Sequence, residues 1–144
     1  MRERLETRIS HGVRNFIILP TRERYGDWTK SYVFEIIWHE YIHLRQYWKN
    51  PLLWLIGYFL VLPTVFTFRG RFEKPAYAAS MLANFKTYGH ITDAKKEFIA
   101  STFTSSLYFW MWPFKKRARK WVNKTAQKIE SGALDKYYIE TSDV

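Results

Sequence analysis

The stretch Trp38-His39-Glu40-Tyr41-Ile42-His43-Leu44-Arg45-Gln46 contains H-E-x-x-H, the densest group of chemistry-bearing side chains in the chain. Residues four apart on a helix lie on one face, so His39 and His43 can turn two imidazoles toward a single metal ion. Glu40 stands beside that point, where a carboxylate can take a proton from an activated water. The surroundings support a helix from about Trp28 to Trp48, with Asp27 or Thr29 as N-cap and Asn50-Pro51 as the stop. Around this helix Val33, Ile37, Tyr41, Leu44 and Trp48 share one narrow arc, with the histidines well over 90° away. A core face and a separate ligand face are the expectation.

The chain has 144 residues, which suits a single domain over 1–144 with a mainly α fold and a short β-strand or small sheet. It has no cysteine, which excludes disulfides, a thiolate zinc site and a thiol nucleophile; any metal is held by His and carboxylate. The start, Met1-Arg-Glu-Arg-Leu-Glu-Thr-Arg, is charged and lacks the apolar core of a signal peptide, so a cytoplasmic or virion-associated location is expected. Net charge is +10, which favours acidic partners without choosing among them.

Ahead of the motif, Val13 to Pro20 is β-branched and aromatic-rich and reads as an edge strand, able to hold an extended peptide over Phe16 to Leu19. After it, Asn50 to Phe68 is a run of nineteen uncharged residues. Gly57 and Pro63 interrupt it, so a buried, broken helix is expected, with insertion into a membrane or lying in its interface the alternative. A third helix is expected from Glu73 through Phe85, with Pro75 in its first turn and Gly89 as its stop. A fourth is capped by Thr92 and continues through Phe103, Leu107 and Met111 to Trp112-Pro113. A fifth, Phe114 to Ile129, ends at Gly132 and is basic and amphipathic. Its run Lys115 to Lys128 suits an anionic membrane surface or nucleic acid as partner, or is a solvated face. The tail from Ala133 offers Tyr137, Tyr138 and Ile139 for docking.

A catalytic zinc normally takes three protein ligands. The candidates for the third are Glu73, His90, Asp93 and Glu97; Glu73 is favoured because a helical hairpin can return it to the histidine pair. Tyr77, one turn after Glu73, is a candidate for oxyanion support, with His90 and His11 behind it and plain core packing as the competing role. Gln46 is close enough in angle to His39 to steady it, and Arg45 points away.

The string His39-Glu-Tyr-Ile-His-Leu-Arg-Gln46, followed thirty residues on by E-x-x-A-Y at Glu73 to Tyr77, resembles the small zincin-like, gluzincin-type metallopeptidases of bacteria and their phages. The resemblance covers about Val13 to Leu82 and departs from the family pattern at Pro75. It implies a compact zincin-like metal-site core over about 13–85; the C-terminal helices at 92–131 lie outside the resemblance. It further implies His39, His43 and Glu73 as Zn2+ ligands, Glu40 as base and a peptide or protein substrate. The competing expectation is a non-catalytic virion- or membrane-associated protein, a part in virion assembly or peripheral membrane association, with a structural metal or none.

Overall fold

The computed structural model describes residues 4–8, 14–18, 29–57, 65–106 and 111–134, the first two segments and 65–68 by backbone alone. Arg4–Arg8 (β1) pairs antiparallel with Arg14–Ile18 (β2), Arg4 opposite Ile18 and Arg8 opposite Arg14. The body that follows is helical, and its described residues contain no strand. Five helices make it: α1 (Lys30–Lys49), α2 (Pro51–Leu55), α3 (Val65–Tyr88), α4 (Asp93–Thr104) and α5 (Lys115–Glu130).

Local chemistry sets most of the boundaries. The Thr29 hydroxyl accepts from Tyr32 N at the start of α1, and the Thr92 hydroxyl accepts from Lys95 N at the start of α4. Asn50 closes α1 and caps α2, its side chain accepting from Leu53 N, with Pro51 in the first helical position. Gly89 and Gly132 follow α3 and α5 with φ of 73°, a conformation that costs glycine least.

Helix α3 is the centre. From Ala76 to Asn84 all but Tyr77 are buried, so the helix has no solvent face there and no amphipathic pattern. Its small residues, Ala76, Ala79 and Ala83 among them, are 0–1% exposed and let neighbouring helices approach closely. Helix α1 lies along one side. Around α4 and α5, Ile99, Phe103, Met111, Ala118, Val122 and Ile129 join Met81 and Leu82 in one apolar core.

Four expectations are corrected. Helix α3 starts at Val65, not Glu73, and Pro75 sits inside it. The proline deprives Arg71 O of its helical donor, and an interior proline costs roughly 3 kcal/mol, against which stands the burial of α3 over the turns that follow, Ala78 to Asn84. Helix α4 ends at Thr104, short of Trp112-Pro113; the Phe103 carbonyl instead accepts from Trp112 N at 2.9 Å as the chain turns back. Helix α2 is not buried: Leu52 is 68% exposed, and Leu53, Leu55 and Ile56 are exposed with it. Among the described residues no helix is long and apolar enough to cross a membrane.

Helix α1 itself departs from expectation in which face it buries. Its buried residues are Glu35, Ile42, His43 and Gln46, whereas Tyr41 and Trp48 from the expected core arc are exposed. The helix turns Glu35, His43 and Gln46 inward toward α3 together with Ile42, and Trp38 packs against the core, while Tyr41 and Trp48 face outward. The tail after Leu134, Leu107 and His11 lie outside the described residues.

Candidate metal centre

Two imidazoles and a carboxylate meet between α1 and α3. His39 Nε2 and His43 Nε2 are 3.2 Å apart, and Glu73 Oε2 lies 3.3 Å from the first and 3.4 Å from the second. His43 and Glu73 are buried, and His39 is half-buried. Because α3 runs past the end of α1 without a break, Glu73 is delivered from mid-helix, a rigid position, and not from a frayed first turn.

The rest of the polar network fixes how each ring is presented. Gln46 Nε2 donates to Phe72 O at 2.9 Å, which orients the amide so that its Oε1 faces His43 Nδ1 at 3.0 Å. A carbonyl oxygen only accepts, so His43 carries a proton on Nδ1, which leaves Nε2 as the ring atom facing Glu73. On the other ring, Ser80 Oγ lies 3.3 Å from His39 Nδ1. The Ser80 hydroxyl hydrogen has two carbonyl acceptors, Ala76 O at 3.3 Å and Glu35 O at 3.4 Å. Its lone pair is thereby left to accept from His39 Nδ1. Both rings are held in the tautomer that metal ligation needs.

Three electron-rich atoms brought this close require positive charge among them. In the metal-free chain protons supply it. Burial works against the charged form of His43, but hydrogen bonding and attraction from Glu73, with smaller help from Gln46 and the Glu40 charge, raise it above its ordinary value. Burial likewise works to raise the Glu73 carboxyl, and the bonds from His39 and His43 overcome it, holding Glu73 well below the usual carboxylate range.

A metal fits the same place. Around a tetrahedral ion with bonds of about 2.0–2.1 Å, ligand atoms stand roughly 3.3–3.4 Å apart. The observed triangle of 3.2, 3.3 and 3.4 Å has that size. Among the described residues these three form the group able to hold a metal ion. Glu73 Oε1, the oxygen turned away, is 3.7 Å from Arg69 Nε.

Beside the site, on the His39 side, lies an open cleft. The cleft, of about 240 Å³, is lined by His39, Glu40, Tyr77, Ser80, Tyr32, Glu35, Ile36, Lys95 and Phe98. Glu40 is exposed on its wall. Tyr77 packs its ring edge against His39 with centroids 4.6 Å apart, and against Phe103 at 5.2 Å, so it borders the cleft and the core at once. Deeper in, the Glu35 carboxylate accepts from Asn84 Nδ2 at 2.6 Å and pairs with the Lys95 ammonium.

Of the four candidates for a third ligand, the structure brings Glu73 to the histidines. His90 is exposed and bonded to Tyr88 O, Asp93 pairs with Lys96, and Glu97 takes a forked bond from Arg119. Gln46 steadies His43 and not His39; Arg45 stays out of the cluster. Ser80, Glu35, Asn84 and Lys95 were not singled out from sequence. A signal existed for two of them: Ser80 and Asn84 lie seven and eleven residues after Glu73, hence on its face of α3. No family model, curated protein or solved structure matches this chain.

Proposed function

We propose that the chain is a zinc-dependent peptidase of the zincin-like kind, with His39, His43 and Glu73 holding the metal and Glu40 acting as general base. The observation that carries this reading is the triangle of ligand atoms, in which each imidazole is pinned through Nδ1 with Nε2 turned inward. A His2Glu set beside an open cleft suits a catalytic zinc, and a bound zinc would supply Lewis acidity toward a water and a peptide carbonyl.

The chain's own residues supply the rest. Glu40, on the cleft wall beside His39, accepts the proton of the attacking water on a carboxylate oxygen and returns it to the leaving amine. Tyr77 borders the same cleft and is suited to donate its phenol hydrogen to the carbonyl oxygen as negative charge develops there. Ser80 and Gln46 hold the rings still. The cleft favours this reading over a purely structural metal, because a closed structural site has no need of a base and an aromatic hydroxyl on an open wall.

The test is Glu40→Gln measured for zinc content and for cleavage of a mixed fluorogenic peptide library. It should keep about one zinc per chain and lose roughly 10²–10⁴-fold in rate. Retention of wild-type rate by Glu40→Gln, or cleavage that persists after chelation, would overturn the assignment.

A further inference from the structure

We propose that the exposed face of α5 binds the phosphodiester backbone of a nucleic acid through a ridge of four lysines, Lys116, Lys120, Lys124 and Lys128. At spacing four these side chains stack along the helix, about 6 Å from one to the next and about 18 Å from end to end. All four are exposed.

Among the described residues the acids of α4 and α5 are engaged elsewhere. Glu97 is taken by Arg119, Asp93 by Lys96, and Glu130 accepts from Ile91 N at 3.1 Å. Among the described residues no ion pair reaches any of the four lysines. Over 93–130 the sequence carries nine Lys and Arg against three acids, so more than half of the net charge of +10 sits on α4, α5 and their connection. Like charges at spacing four repel and weaken a helix, a cost that an anionic polymer running along the ridge removes.

The same helix argues against a lipid surface. A helix that lies in a bilayer interface puts its apolar face into the acyl region. That face of α5 is already spent: Ala118 and Val122 are 0% exposed and Ile129 1%, all within the core. What borders the ridge is Asn123 and Gln127, both exposed amides of the kind that contact phosphate and sugar oxygens. The ridge reads no bases, so binding independent of sequence is expected.

Fluorescence anisotropy of the full chain with a labelled duplex of about 20 base pairs and a single strand of equal length, over about 50–200 mM salt, tests this. Four phosphate contacts predict that affinity falls with salt with a log–log slope of about −3.6 for the duplex and about −2.8 for the strand. Replacing all four lysines by glutamine should abolish binding while circular dichroism stays unchanged; replacing them by arginine should preserve it. A control with Lys30, Lys49, Arg71 and Lys86 changed to glutamine loses the same charge elsewhere and should bind nearly as the parent does. Absence of binding at the lowest salt, equal loss in the control, or tighter binding to vesicles containing phosphatidylglycerol than to either nucleic acid would overturn the proposal.

Discussion

The seam between α1 and α3 and the seam among α3, α4 and α5 bury comparable lengths of helix by opposite means. The first is polar. Its contacts run Gln46 to Phe72 O, His43 and His39 to Glu73, Ser80 to His39, and Asn84 and Lys95 to Glu35. The second is built from Phe103, Met81, Met111, Val122 and Ile129, with the Phe103 ring edge-on to Trp112 and Trp121 at 6.0 and 5.4 Å. Apolar contacts are non-directional and tolerate small shifts. A polar seam is stable only when each group has its partner, and so fixes the orientation of the rings. The fold places its rigid, directional chemistry on one side of α3 and its bulk hydrophobic stability on the other.

That division can be broken from either side. The largest loss is expected from Phe103→Ala, which empties a 0% exposed site at the middle of the apolar seam. It should cost roughly 3–5 kcal/mol in chemical denaturation, with metal affinity per folded chain little changed. Next comes Lys95→Met, which leaves the buried Glu35 carboxylate without its cation and should cost about 3 kcal/mol. Adding Glu35→Gln to it should recover most of that loss, since the cost lies in the orphaned charge. A double variant no more stable than the single would show that the pair itself, not the orphaning, sets the energy. The smallest change in stability but the most specific in effect is Ser80→Ala: it frees His39 Nδ1 and should lower zinc affinity about 10–100-fold in a competition titration. Unchanged affinity would remove Ser80 from the site.

The two seams also differ in how far they can be read from sequence. Helix α5 declares itself, because Ala118, Val122, Thr125 and Ile129 fall on one face and cations on the other, and the apolar face is the buried one. Helix α1 carries a weaker apolar arc, and most of its buried residues lie off that arc. Periodicity divides a helix into two faces without saying which is buried when the partner offers polar groups of its own. H-E-x-x-H signalled that one face was chemical, and Glu73 was reachable from chain length and helix geometry. The extent of α3 was hidden because Pro75 looks like a helix start, whereas the helix continues through it from Val65 to Tyr88. The Glu35–Lys95 pair was hidden for a different reason: its partners are sixty residues apart and no local pattern links them.

The cluster of His39, His43 and Glu73 in the α1–α3 seam could hold a metal ion, and the reading proposed above is that it does. The most direct measurement is zinc bound per chain, by elemental analysis after dialysis against chelator-free buffer, for the wild-type protein and for Glu73→Ala. The account predicts about one zinc for the first and close to none for the second, because removing the anionic ligand leaves only the two imidazoles. A wild-type chain that takes up no zinc, or a Glu73→Ala chain that keeps its full complement, would contradict it.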